Sequence, residues 1–500
     1  MAKASRVACC AIVATLVLAG GASAAAAPLT QQGPKIVPPA NLRFGFGSAV
    51  AISADGSTAL IGSPGYESRS GAAGVYVRSG GTWVAQGRLT VPGTSPGTEF
   101  GSSVALSADG DTALVGEPGF QQDVGAAYLF RYSGGNWTQV GHELVDPVAA
   151  KKKSEVHYGT SVALSADGSE AAVGEPGYSS AWVYKTTARG FSQGHTHGHK
   201  FQSGGFDEAC MCGNQFGSSI ALSGDGETLM VGSLPGIFQE EFAREQGAEW
   251  VYVRSGSKWT QQAGPIVPRG GATALDGDGN TALASKREWS TAVLERSGTS
   301  WSVGPLLEPS DVNLGCGCVH AQLPSVSLSA DGQNALLGYW RDNEAVGAAW
   351  LFSRSGSSWT QGPKLLGGEE IGNANFGEVA ALSADGGTAV IGGPEDNEGF
   401  GAVWFFTRAV PPPAPSLEAV TPRNGAASGG TTVTIAGHAL TGATSVHFGA
   451  AAASFSVLSG EQITAQSPPG TPSSTVDVTV TTPGGTSAVV KGDRFTYKAH

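Results

Sequence analysis

Along most of the chain, a short apolar run is followed by an Asp-Gly pair and then a second apolar run. One copy is Ser103-Val-Ala-Leu-Ser-Ala-Asp109-Gly110-Asp-Thr-Ala-Leu-Val-Gly116. The turn aspartates of successive copies are Asp55, Asp109, Asp167, Asp225, Asp278, Asp331 and Asp385, spaced 53 to 58 residues apart. Period-two alternation on either side of Asp-Gly predicts two strands joined by a tight hairpin, because these residues tolerate the positive φ the turn requires. A Gly-x-Pro turn follows, as at Gly116–Gly119 and Gly174–Gly177. It leads to a third apolar run, Gly125–Phe130, Gly247–Val253, Gly347–Phe352 or Gly401–Phe406 in different copies. A Ser-Gly turn and a tryptophan-headed segment (Trp137, Trp259, Trp301, Trp359) then predict a fourth strand. Several copies open on an aromatic-Gly pair: Phe46-Gly47, Phe100-Gly101, Tyr158-Gly159, Phe216-Gly217 and Phe376-Gly377.

Four-stranded units at this period predict an all-β fold, a seven-bladed β-propeller. The small residues at the start of the third strand are expected to let blades approach, and the aromatics to fill the wedges between them. The seventh copy lacks its fourth strand. Leu29-Thr-Gln-Gln-Gly-Pro34-Lys35 matches Trp359-Thr-Gln-Gly-Pro363-Lys364 with one insertion, so an N-terminal strand is expected to close blade seven. Closure removes a free sheet edge.

The reading divides the chain into a signal peptide at 1–26, a propeller at 27–408, a proline-rich linker at 409–415 and an immunoglobulin-like β-sandwich at 416–500. Lys3 and Arg6 precede an apolar stretch from Val7 to Ala19 and a small-residue cleavage site at Ala22-Ser23-Ala24. That pattern predicts export and a secreted or surface-associated mature chain without an integral membrane segment. In the last region, the run Val476-Asp-Val-Thr-Val480-Thr-Thr-Pro-Gly-Gly485 alternates as a half-buried strand should.

The combination of aromatic-Gly, SVALSADG, Gly-x-Pro, GAAYLF and Trp-Thr-Gln resembles the FG-GAP repeat of secreted bacterial proteins related to the integrin α-subunit propeller. Residues 416–498 closely resemble an IPT/TIG domain. Copies five and six depart from the repeat: Arg269-Gly270 and Gln322-Leu323 replace the aromatic-Gly pair, and Ala284-Ser285 and Gly338-Tyr339 the Gly-x-Pro turn.

Composition narrows the function. Glycine makes up 75 of 500 residues, about twice the usual ~7 %, and the repeat places it in turns and blade contacts. A net charge of −12 argues against nucleic acid as a partner; the Lys151-Lys152-Lys153 run is read as a solvated loop. The resemblance raises the question of calcium, since related repeats carry several oxygen ligands in the turn between two strands. Ser-Ala-Asp-Gly offers one carboxylate; Asp276-Gly-Asp278-Gly-Asn280 comes nearest to such a loop. His195, His197 and His199 form a possible zinc or copper set, read first as a histidine-rich loop. Cys210/Cys212 and Cys316/Cys318 are disulfide candidates of open connectivity in an exported chain. Glu117 and Glu175 share one repeat position and are read as surface turn residues. No triad, nucleophile elbow or helix is apparent, so no catalytic residue and no cofactor are assigned. The expectation is a non-enzymatic binding or adhesion-type protein for an extracellular glycan, cell-wall component or protein. The alternatives are a propeller-type glycan hydrolase or lyase and a structural envelope component.

Overall fold

The computed structural model describes residues 27–38, 44–93, 95–152, 154–191, 199–202, 215–233, 247–266, 270–286, 290–313, 323–408 and 413–499. The predicted signal peptide lies outside them. The described residues divide into two compact units on either side of Arg408.

The first unit is a seven-bladed propeller. Blade two shows the common pattern: Ser103–Leu106, Thr112–Glu117, Ala126–Ser133 and Asn136–Gln139 pair in order, all antiparallel. Each Asp-Gly hairpin forms as expected. In blade one, the Ser57 N–H donates to Asp55 Oδ1 at 2.9 Å and Ser53 Oγ donates to the same atom at 2.6 Å. At this end of the ring, the residue before each turn aspartate links the blades. The Ala54 N–H donates to Ala108 O, Ala108 to Ala166, Ala166 to Gly224, Gly277 to Ala330, Ala330 to Ala384, and Ala384 back to Ala54 O at 3.0 Å.

The ring closes as the sequence predicts. Leu29–Gln31 forms the outer strand of blade seven, with Leu29 opposite Arg408 and Gln31 opposite Phe406. Ile36 continues the contact as a bridge to Val403.

Blades pack through the aromatic-Gly pairs. Gly71, Gly125, Gly347 and Gly401 bridge Phe100, Tyr158, Phe376 and Phe46 of the next blade. A Cβ on any of these glycines would lie about 2.0–2.1 Å from that aromatic residue's carbonyl oxygen, so only glycine fits. The turns leading into them have an uncommon form. Glu67–Arg69, Gln121–Asp123 and Asn343–Ala345 each place three successive non-glycine residues at positive φ. Left-handed conformation costs ~1–2 kcal/mol per residue. It is offset where the next blade donates into the turn, as the Val156 and His157 N–H groups do to Asp123 O.

Three local expectations are corrected. The loop reading of the lysine run is corrected for its first two residues: Lys151 and Lys152 end a helix, Pro147–Lys152, whose first turn is capped by Asp146 Oδ1, and Lys153 lies outside the described residues. Basic residues suit a helix C-terminus. Short helical segments are therefore present where none was apparent. The histidine stretch is not wholly a loop either, since His199–Gln202 pairs its backbone with Ser180–Val183 of blade three.

The second unit is a β-domain in which Thr475–Thr482 pairs with Ser445–Phe448 and Arg494–Lys498. Its core gathers Val433, Ile435, Phe448, Ile463, Val478, Val480 and Phe495, placing the alternating strand's Val478 and Val480 inward.

Candidate functional site

The propeller face opposite the Asp-Gly hairpins carries the turns from second to third strand and the blade-to-blade connections. Glu117 and Glu175 end their second strands here, and both are fully buried rather than surface residues. The next blade's Tyr158-Gly159 segment covers the end of the Glu117 strand: Gly159 O accepts from Ser103 Oγ at 2.7 Å, and a Cβ on Gly116 would lie 2.0 Å from it. Burial raises the Glu117 carboxyl above its ordinary range, opposed in part by hydrogen bonds with Thr98 and Tyr128. Glu175 Oε2 accepts from Ser180 Oγ at 2.6 Å and from Trp182 Nε1 at 2.9 Å. The Glu175 carboxylate is thus held by the aromatic residue of its own blade. A third buried acid, Glu249, stands on the third strand where five other blades have Ala or Val and blade five has Thr291; its signal was the GAEW variant of GAAY.

Two further acids escaped the sequence reading. Asp396 and Asp342 occupy equivalent turn positions in blades seven and six, both fully buried. Lys35 Nζ donates to Asp396 Oδ2 at 2.5 Å and lies 5.8 Å from the centre of the Trp404 ring. Lys364 Nζ lies 2.6 Å from Asp342 Oδ2 and 5.1 Å from the Trp350 ring. The Lys35–Lys364 correspondence was visible in the closing-strand match; their partners were not, because two loops must fold together to create the pair.

Beside Asp396, Glu370 Oε1 accepts the Gly367 N–H at 3.0 Å. Burial, with Asp396 nearby, pushes the Glu370 carboxyl up to about 7, against the opposing pull of Lys35. A raised carboxyl pKa means the folded state binds more protons than the unfolded chain between about pH 4.5 and 7, so this group lowers stability as pH rises through that window. Glu370→Gln keeps the acceptor and removes the charge. It is expected to match the parent near pH 4.5 and exceed it by about 1–2 kcal/mol at pH 8, allowing for solvent screening. Urea unfolding at both pH values checks this; a gain independent of pH would refute it.

The same face exposes large apolar side chains around the blade-seven turn. Phe44 is 55 % and Ile371 51 % exposed, with Val37 and Leu366 similarly bare. The Asn397 N–H donates to Ile371 O, and the Gly45 N–H to Gly399 O, fastening both neighbours to this turn. Phe44 lies 6.0 Å from Phe400, ring to ring, and holds φ at +83°, a conformation rare for an aromatic residue.

Of the metal candidates, His195 and His197 lie outside the described residues, as do Cys210, Cys212, Cys316 and Cys318. Asp276 takes the buried place of the turn serine, its Oδ1 accepting the Asn280 N–H at 2.8 Å, while Asp278 Oδ1 accepts the same N–H at 3.0 Å. Burial pushes the Asp276 carboxyl up to about 6. Among the described residues, no group of three or more His, Cys, Asp or Glu is placed to hold a metal ion. Among them, too, no helix is long and apolar enough to cross a membrane.

None of the curated proteins compared with the chain matches it. Among solved structures, the β-propeller domain of Cps50 (Swd1) from Myceliophteria thermophila aligns over 76 % of this chain and 100 % of its own. The identity is 11 % and the TM-score 0.49. The FG-GAP repeat family matches residues 83–130, and the IPT/TIG domain family matches residues 415–497. The chain thus combines a seven-bladed β-propeller that carries an FG-GAP repeat match with a C-terminal β-domain that matches the immunoglobulin-like IPT/TIG fold.

Proposed function

We propose that the chain is a non-enzymatic extracellular or surface-associated binding protein that holds a protein partner on the loop face of its propeller. Propeller and IPT/TIG domains suggest interaction or adhesion, and FG-GAP and IPT/TIG domains are typically non-catalytic and usually extracellular or surface-associated. Fold alone is a weak warrant for function. The observation carrying the reading is the apolar group of Phe44, Ile371, Val37 and Leu366 around one turn, with the acids Glu369, Glu395 and Glu398 exposed beside it. Exposed apolar groups with a polar rim mark association surfaces. Glu117 and Glu175, the carboxylates on which a hydrolase reading would rest, are both fully buried, and Glu175 is engaged by Ser180 and Trp182 of its own blade.

The test is retention of the full chain on an immobilised panel of cell-envelope proteins, glycans and peptidoglycan fragments. Retention on protein members without product release is expected, with at least about tenfold weaker retention for Phe44→Ser/Ile371→Ser if these side chains are anchors. Product release from a glycan would establish the enzyme instead. Retention on glycans alone would replace the protein partner.

A further inference from the structure

The blades share one register, so each position can be compared around the ring. One position of the third strand, opposite the fourth residue of the second strand, is Tyr128, Trp182, Trp250, Trp350 and Trp404 in blades two, three, four, six and seven. In blade five it is Ala292, opposite Ala284, and in blade one Gly74, opposite Ile61.

Elsewhere that aromatic ring has a recurring set of partners. A second ring meets it edge-on: Phe100 to Tyr128 at 5.6 Å, Phe216 to Trp250 at 5.1 Å, Tyr339 to Trp350 at 5.4 Å and Phe376 to Trp404 at 5.2 Å. An acceptor takes the indole N–H: Glu175 Oε2 for Trp182, Asp311 Oδ1 for Trp350 and Gly368 O for Trp404, at 2.7–2.9 Å. In blades six and seven a lysine lies over the ring.

Blade one keeps this surround around a cavity of about 340 Å³ lined by Phe46, Ser63, Gly74, Tyr76, Gly87 and Arg88, among others. Phe46 is the strand-start aromatic, and its ring meets Tyr76 at 6.0 Å. Ser63 stands at the position of Glu175; it is 2 % exposed, and its Oγ has no hydrogen-bond partner among the described residues. Buried hydroxyls are nearly always satisfied. Arg88 stands at the position of Lys364, opposite Gly74, and donates to Tyr66 Oη at 3.0 Å. The backbone conformation does not demand glycine here, since Gly74 has no left-handed φ; an added Cβ would lie 2.9 Å from the Tyr76 ring, which must shift to admit a larger residue.

We propose that this cavity receives an aromatic side chain, indole or phenol, from a partner polypeptide. The incoming ring takes the place that five blades fill from within. It meets Phe46, lies within reach of the Arg88 cation, and donates its N–H or O–H to Ser63 Oγ. The volume suits one such group, lying at the small end of ligand sites. The proposal does not depend on the patch around Phe44.

The test titrates the full-length chain with N-acetyl-L-tryptophanamide, read by saturation-transfer NMR, alongside the N-acetylcyclohexylalanine amide. Saturable binding of the indole is expected, with the cyclohexyl analogue about five- to tenfold weaker, because it loses the ring contacts and the donor. Ser63→Ala is expected to weaken the indole about three- to tenfold. Gly74→Trp, which supplies the ring internally, is expected to abolish binding. Absence of saturable binding to the parent chain, equal binding of the cyclohexyl analogue, or undiminished binding to Gly74→Trp would overturn the assignment. Should Gly74→Trp not fold, undiminished binding to Ser63→Ala does so.

Discussion

Removing residues 27–36 is expected to cost the propeller roughly 5 kcal/mol or more, lowering its melting temperature by on the order of 10–20 °C. The segment is more than an appended strand. Leu29 is buried, and three residues pair with Phe406–Arg408. Gln31 accepts the Gly368 N–H, Gln32 donates to Gly81 O in blade one, and Lys35 neutralises Asp396. Burial of one leucine is worth ~1.5–3 kcal/mol, and an orphaned buried carboxylate costs ~3–5 kcal/mol. Deletion also bares the edge of Ala402–Arg408, so light scattering is expected to show association absent from the parent. An unchanged melting temperature and a monodisperse truncated chain would mean that the seam is held without this strand. The inner backbone bond from Ala384 to Ala54 would then be sufficient.

Lys35→Met alone is expected to lose about 3–4 kcal/mol, because it leaves Asp396 fully buried without its cation. Part of the cost is the cation over Trp404, ~0.5–1 kcal/mol. The Ile371 N–H still donates to Asp396 Oδ1 at 2.8 Å, which satisfies one oxygen but not the charge. Adding Asp396→Asn is therefore expected to recover about 1–3 kcal/mol, so the double variant is more stable than Lys35→Met. Chemical unfolding of the four chains in the cycle measures this. Strict additivity would show that the pair contributes position without stability.

Local patterning carried most of the fold. The Asp-Gly hairpins, the aromatic-Gly strand starts and the displaced outer strand were legible because each depends on residues adjacent in sequence or on exact repetition. The alanine, glycine and aromatic positions predicted close blade contact, and Gly71 and Gly125 meet the next blade's backbone as expected. What escaped was burial at turns. Glu117 and Glu175 follow a glycine and precede a proline, a context that reads as surface, yet the following blade covers them. The left-handed turns also gave no local signal: Glu67, Ser68 and Arg69 have little preference for positive φ and adopt it in a turn into which the Gly97 and Glu99 N–H groups donate, at Ser68 O and Arg69 O.

The repeat by itself determined that there are seven blades and that the ring closes with the N-terminal strand. Periodicity determines such things because every blade solves the same packing problem with the same residues. Tertiary structure alone decided where the copies differ in consequence. A glycine at position 74 reads as one more small residue among 75. The repeat places a ring at the equivalent position of other copies, but only the assembled blade shows that Ser63 and Arg88, distant in sequence, surround the place left open. Cavities and buried ion pairs belong to chain segments meeting in space, and one-dimensional spacing does not encode which side chains will meet.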